Sequence, residues 1–100
     1  MSLESLRIHP AALEEAEAAF DWYAQRSRRA AERFLDELDR AIDQIARNPS
    51  QYPVYDLGTR RMVLRWFPFV IFFREAHAGV EIIAVAHGRR RPGYWRDRLG

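Results

Sequence analysis

The sequence predicts an α+β fold made of an N-terminal strand, an antiparallel two-helix hairpin, and a three-stranded antiparallel meander packed on that hairpin. Apolar residues recur at helical spacing between residues 10 and 48, and after residue 60 the pattern changes to the two-residue period of strands. The chain has 100 residues, of which 48% are hydrophobic and 30% are charged. This size and balance are typical of one globular domain, which we place at residues 1–100.

A short strand and a first helix are predicted at the N-terminal end. Leu3–Ile8 carries a weak alternation of apolar and polar residues, which indicates a strand. His9 and Pro10 follow, and proline suits the first position of a helix because its missing N–H is not needed there. The apolar face of this helix is predicted from residues spaced three or four apart: Leu13, Ala16, Phe20 and Tyr23.

A second helix is predicted between Ser27 and Asn48. Ser27 is a suitable N-cap because its side chain can accept a hydrogen bond from the first turn, and Asn48 with Pro49 ends the pattern. Its apolar residues again recur at helical spacing: Ala31, Phe34 or Leu35, Leu38, Ala41 or Ile42, and Ile45. The acidic residues of both helices suit solvent-facing positions: Glu14, Glu15, Glu17, Asp36, Glu37, Asp39 and Asp43.

Three strands are predicted in the second half of the chain, after a proline-containing loop at residues 49–59. In Arg60–Trp66 every second residue is apolar, which indicates a half-buried strand with Trp66 on its inner side. Phe69–Arg74 is almost wholly apolar, as expected of a central strand covered on both faces. A short turn then precedes the third apolar strand, Val80–Ala86.

The composition excludes several classes of function. There are no cysteines, so disulfides and thiolate metal sites are ruled out. His9, His77 and His87 are not paired at helical spacing, and we therefore expect no metal site and no cofactor. The serines and glycines form neither a nucleophile elbow nor a phosphate-binding loop. No apolar stretch approaches the roughly 18 residues that cross a membrane and no signal peptide is apparent, so we expect a cytoplasmic protein without membrane contact.

Positive charge is concentrated near the end of the second half. Residues 1–50 have a net charge of −3 and residues 51–100 a net charge of +5, and His87–Arg98 combines five arginines with two adjacent rings. Clustered arginines bind phosphates or acidic protein surfaces, and exposed rings stack on bases or anchor an interface. We predict a target-binding surface from this stretch: His87, Arg89, Arg90, Arg91, Tyr94, Trp95, Arg96 and Arg98. In the alternative interpretation, the stretch is a polar extension whose two rings fold back onto the helices.

Four further residues are candidates for contact with a partner protein. Arg60, Arg61 and Arg65 precede the central strands and are placed to extend the positive surface. Trp22 lies beside the apolar face of the first helix, at an expected partly exposed position. The three arginines equally suit an edge strand, where charge discourages aggregation.

The chain resembles the RelE/ParE superfamily of bacterial type II toxins. The resemblance rests on the order of the predicted elements, on the strand FPFVIFF, and above all on the ending IIAVAHGRRRPGYWRDR. It implies a toxin that inhibits growth, as in plasmid stabilization systems, and that is neutralised by a small ParD-like or RelB-like antitoxin. Such antitoxins wrap an otherwise disordered segment around the toxin, adding a helix in a groove and sometimes a strand at the sheet.

Two activities occur in this superfamily. ParE-like members are associated with inhibition of DNA gyrase, whereas RelE-like members are metal-independent endonucleases that cleave mRNA on the ribosome. For a nuclease, the resemblance implies phosphate binding and catalysis by Arg65, Arg89, Arg90, Arg91 and Tyr94. The nucleases commonly carry an arginine after an aromatic residue of the central strand, and here Phe69 is followed by Val70. We therefore favour a ParE-like toxin that is not an enzyme, with the ribonuclease, a nucleic-acid-binding module and an inactive relic as alternatives.

Overall fold

The computed structural model describes residues 6–76 and 79–100, and within them the chain forms two α-helices, four strands and two short 3₁₀ helices, Pro49–Gln51 and Arg96–Leu99. Their bounds are β1 Leu6–Ile8, α1 Pro10–Ala24, α2 Arg28–Arg47, β2 Arg60–Val63, β3 Phe69–Ala76 and β4 Gly79–His87. The strands form one sheet in the order β1-β4-β3-β2. β2, β3 and β4 are antiparallel neighbours, whereas β1 runs parallel to β4. The predicted α+β fold is confirmed, with a sheet that is mixed rather than wholly antiparallel.

The helix boundaries follow from local capping, as the sequence predicts. His9 precedes α1, and its Nδ1 accepts a hydrogen bond from the backbone N–H of Ala11 at 3.0 Å. Ser27 caps α2, and its hydroxyl accepts from the N–H of Ala30 at 3.1 Å. These side chains satisfy N–H groups that have no partner inside the helix. Asn48 ends α2 directly before Pro49.

The sheet separates two apolar clusters. The larger one lies between the sheet and the helical hairpin, and Phe34, Ile45 and Phe73 are fully buried in it. The smaller one covers the opposite face, which we call the outer face, and includes Phe72 and Trp95. β3 is therefore covered on both faces, as its continuous apolar sequence predicts.

Two predicted strands have different ends in the structure. β2 ends at Val63 instead of Trp66, and the Trp66 side chain is 71% exposed, so the prediction that it faces the core is wrong. The reason is a contact with α2: the carboxylate of Glu37 accepts hydrogen bonds from the backbone N–H of Arg65 at 2.5 Å and of Trp66 at 3.2 Å. This carboxylate takes the place of a strand partner, and the chain turns. β3, by contrast, continues two residues further, to Ala76.

Leu13 does not lie on the buried face of α1, where the spacing places it. Leu13 is 49% exposed, and Ala12 and Ala19 supply the buried face of α1 in its place. The small side chains bring α1 closer to the sheet than a leucine would allow.

The start of the predicted first strand and part of the predicted turn before β4 lie outside the described residues. No helix within 6–76 and 79–100 combines the length and apolar character that crossing a membrane requires.

Candidate functional site

The segment after β4, residues 88–100, turns back over the molecule. It leaves the sheet at Gly88, whose N–H donates to the carbonyl of Pro68 at 2.8 Å. A loop of three arginines follows, which we call the arginine loop (residues 88–92). Gly93 then adopts φ +76°, a left-handed conformation that glycine adopts without strain, and a Cβ there would lie 2.6 Å from the Arg96 guanidinium. This turn sends the following residues back under the outer face of the sheet.

Trp95 is buried at the outer face and is not a surface anchor. Its side chain is 1% exposed, and its ring stacks at a tilt on Phe72 with 4.8 Å between the centroids. Ile83, Ala84 and Ala86 of β4 complete the same cluster. The expectation that Trp95 contacts a target is therefore wrong. Its ring is buried against the apolar side chains of β3 and β4, which removes apolar surface from water. The alternative interpretation is right that both rings fold back, but only the Tyr94 hydroxyl reaches a helix, at Glu15 of α1, whereas Trp95 packs on the sheet.

Glu15 of α1 accepts four hydrogen bonds, three from this segment and one from β4. Its Oε1 accepts from the backbone N–H of Val85 at 3.0 Å and from Nη1 of Arg98 at 2.8 Å. Its Oε2 accepts from Nη2 of Arg98 at 3.1 Å and from the Tyr94 hydroxyl at 2.5 Å. Arg98 also donates to the carbonyl of Ile83 at 3.1 Å. We call Glu15, Tyr94 and Arg98 the clasp, and the expectation that Glu15 faces solvent is wrong.

The clasp shifts the pKa of each of its three members. Burial alone would raise the pKa of Glu15, but hydrogen bonds from Arg98, Tyr94 and Val85 outweigh it and hold the pKa below its ordinary value. The hydrogen bond to Glu15 raises the pKa of Arg98. Burial, followed by the bond to Glu15, raises the pKa of Tyr94 far above 10. The Tyr94 hydroxyl is protonated at neutral pH and donates its hydrogen bond to Glu15.

The five arginines of the basic stretch divide into two groups. Arg98 belongs to the clasp, and Arg96 forms an ion pair with Asp56, 2.8 Å from Nη2 to Oδ2. Arg89, Arg90 and Arg91 are exposed, and none of them forms an ion pair within the described residues. Arg96 and Arg98 thus attach residues 88–100 to the rest of the fold. The arginine loop remains available for contacts with other molecules.

An open groove lies between the second half of α1 and the arginine loop. It has a volume of about 430 Å³, and we call it the aromatic groove. Ala18 and Ala19 leave space for it on α1. Rings and one guanidinium line its walls, contributed by Trp22, Tyr23, Phe69, His87, Arg90 and Tyr94. It is a concave apolar surface with positive charge at its rim, the form of site that receives apolar side chains of a partner.

Cations stack on two of the groove's rings. The Arg90 guanidinium lies 3.9 Å from the Tyr94 ring centroid, and that of Arg26 lies 3.6 Å from the Trp22 centroid. The Trp22 side chain is 52% exposed, in agreement with its predicted half-exposed position. The sequence places Trp22 and Arg90 far apart, and only the packing of α1 against β4 brings them to one groove.

The three arginines in and after β2, Arg60, Arg61 and Arg65, do not line the aromatic groove. Arg60 pairs with Glu75 at 3.5 Å and donates to the Tyr52 carbonyl at 2.5 Å, so its guanidinium is bound within the fold. Arg61 stacks on Tyr55, 4.6 Å from the ring centroid. Arg65 lines a different cavity of about 790 Å³, between α2 and the turn that follows β2.

The five residues considered for nuclease chemistry are therefore not gathered in one cavity. Arg65 and Tyr94 line separate cavities, and the Tyr94 hydroxyl is already bound to Glu15. Val70, which stands where the nucleases commonly have an arginine, packs against the outer apolar cluster under Trp95. The part of that face around Val70 is therefore apolar.

Comparison with known proteins gives the family. A sequence model of the ParE toxin of the type II toxin-antitoxin system parDE matches residues 6–92, and the chain therefore belongs to the ParE toxin family. A solved structure described as the chromosomal ParDE TA system from P. aeruginosa contains a chain with the same fold. The TM-score is 0.73 at 20% identity, over 83% of this chain and 94% of that chain. No curated protein sequence matches the chain.

Proposed function

We propose that this protein is a ParE-like toxin that inhibits growth by binding a protein target, for which DNA gyrase is the candidate, and that a cognate antitoxin neutralises it. The observation that carries the proposal is the exposed arginine loop at the rim of the aromatic groove. Membership in the ParE toxin family supports it. Both the target and the antitoxin of this proposal are cytoplasmic.

The groove and its rim define the chemistry of the segment they bind. Apolar side chains of a partner fit between Trp22 and Tyr94, and carboxylates fit the guanidiniums of Arg89, Arg90 and Arg91. An acidic, amphipathic antitoxin segment of the ParD-like kind has both features. By occupying the groove, that segment would cover the arginine loop and withhold it from the target.

The ribonuclease is the less favoured function. It requires a phosphate site built from arginines and a tyrosine that is free to assist proton transfer. Here the bond from Tyr94 to Glu15 and the separation of Arg65 from the arginine loop oppose both requirements. A phosphate held by the arginine loop alone would lack a positioned proton acceptor.

Induced expression in a bacterium without the antitoxin tests the proposal. DNA, RNA and protein synthesis are labelled separately at early times, and the triple variant Arg89→Ala, Arg90→Ala, Arg91→Ala serves as the comparison. We expect early arrest of DNA synthesis with filamentation by the wild-type chain and loss of this effect in the variant. The matched control is the exposed pair Arg28→Ala, Arg29→Ala on α2, which should inhibit growth like the wild type. Early arrest of translation with mRNA cut on ribosomes would overturn the proposal in favour of the nuclease.

A further inference from the structure

A small hairpin, residues 54–60, leads into β2 at the edge of the sheet. Val54 pairs with Arg60 as an isolated bridge, and the N–H of Tyr55 donates to the Thr59 carbonyl at 2.7 Å. The turn between them is closed by the Thr59 N–H, which donates to the Asp56 carbonyl at 2.9 Å. Leu57, at the first central position of this turn, has φ +53°, and the following glycine has φ +76°. Positive φ at both central residues defines the type I′ turn, which favours asparagine, aspartate or glycine at its first central position.

Leu57 is therefore the wrong residue for its backbone conformation. A γ-branched aliphatic side chain in the left-handed region is strained, and residues strained in this way cluster at functional sites. Burial does not offset the strain, because Leu57 is 62% exposed, as is Val54. Tyr55 is 42% exposed. Leu57 is exposed in the turn, and Val54 and Tyr55 are exposed on the segment before it; we call these three residues the apolar tip.

Contacts of Tyr55, Asp56 and Thr59 support the hairpin that carries the apolar tip. Asp56 in the turn forms the ion pair with Arg96, at 2.8 and 3.1 Å. The Tyr55 ring contacts Phe72 of the sheet, with 5.4 Å between centroids. Thr59 is fully buried, and its hydroxyl donates to the Asp56 carbonyl at 2.5 Å. An exposed apolar surface supported in this way loses little conformational entropy on binding, which is the property of an interface anchor.

We propose that the apolar tip is a second contact with the protein that this toxin inhibits, and that Leu57 inserts into a preformed apolar pocket with an acidic rim on that folded protein. The exposed position of Leu57 in a turn indicates which kind of partner binds it. A disordered segment places its own side chains in grooves. An exposed side chain such as Leu57 instead fits a pocket that is already formed, and only a folded partner has such a pocket. Charge complementarity with Arg61 is the reason to expect an acidic rim around the partner's pocket. The exposed Arg61 guanidinium lies on the Tyr55 ring and forms no ion pair within residues 6–76 and 79–100.

Leu57→Asn gives a test in which stability and activity move in different directions. Asparagine tolerates positive φ better than leucine does, so the melting temperature should stay the same or rise by up to roughly 5 °C. The apolar contact is lost, so the intracellular amount of toxin needed to halve the growth rate should rise about tenfold or more. Leu57→Met keeps an apolar side chain in the turn and is the matched control, which should inhibit growth at the wild-type dose.

The inference rests on the proposed function, and the experiment separates the two. A wild-type chain that does not inhibit growth at any dose overturns the proposed function and leaves the tip without a target. A wild-type chain that inhibits growth, together with an equally potent Leu57→Asn variant, overturns the inference alone. Sedimentation of the purified wild type and Leu57→Asn gives a further check. A self-associated wild type that the substitution converts to monomers would show that a second copy occupies the tip, and would overturn the assignment to the target.

Discussion

Replacing Glu15 by Gln should destabilise the fold strongly, although only one atom type changes. Glutamine keeps the size and one acceptor oxygen of Glu15 but removes the negative charge that faces Arg98. The two side chains are only 16% and 14% exposed, so the Arg98 charge would be left largely buried without its counter-ion. Breaking a buried ion pair on one side costs about 3–5 kcal/mol. Because both side chains keep some exposure and glutamine retains one acceptor oxygen for the hydrogen bonds that converge here, we expect a loss at the lower end, about 3 kcal/mol.

Thermal and urea unfolding followed by circular dichroism measure this loss. A change of about 3 kcal/mol corresponds to a drop in melting temperature of roughly 12–24 °C in a domain of this size. The matched control is Glu32→Gln, which removes the partner of Arg28 in an exposed pair whose side chains are 93% and 62% exposed. That variant should lose less than about 0.5 kcal/mol. Equal melting of the two variants would refute the role assigned to the clasp.

The pH dependence of the same variant checks the sign of the effect. The pKa of Glu15 is lower in the folded chain than its ordinary value of 4.5, so the folded state favours the charged carboxylate. The contribution of Glu15 is thus fully present above pH about 4.5 and is lost as the pH falls through the folded-state pKa. The stability difference between wild type and Glu15→Gln should be constant at neutral pH and should shrink in acid. A difference that grows below pH 4.5 would contradict the assigned direction.

Three further predictions concern packing and charge. Trp95→Ala should cost roughly 3–5 kcal/mol in denaturant unfolding, because it removes the ring that covers the outer face; a loss below about 1 kcal/mol would show that the segment is not packed there. Phe34→Ala should cost a similar amount, since its ring contacts those of Tyr23, Phe67 and Phe69, and wild-type melting would contradict the core assignment. The triple alanine variant of residues 89–91 should change stability by no more than about 0.5 kcal/mol, and a large loss in the same unfolding assay would mean that these arginines are structural.

The sequence predicts well whatever depends on neighbouring residues. The starts of α1 and α2 follow from Pro10 and Ser27, whose effects act within one helical turn. The continuous apolar run of β3 predicts a strand covered on both faces, and the two apolar clusters confirm it. In each of these places, the local pattern and the tertiary structure require the same conformation.

The errors fall where a distant contact decides the outcome. Alternation places Trp66 in the core, but Glu37 of α2 ends the strand before it. Helical position places Glu15 in solvent, yet its partners Val85, Tyr94 and Arg98 are 70, 79 and 83 residues away along the chain. No periodicity within a helix signals such partners. The sequence does not reveal the aromatic groove for the same reason, because α1 and the arginine loop each contribute only part of it.

The long sequence separation of the clasp also has a kinetic consequence. The helical hairpin and the β2–β4 meander consist of contacts between segments that follow each other closely, whereas the clasp and the β1–β4 pairing require the closure of loops of some 70 residues or more. Segments that meet across such loops tend to dock after the local units have formed. The arginine loop would then acquire its fixed geometry only in the last stage of folding, and a weakened clasp would accelerate the departure from the native state more than it would delay arrival there.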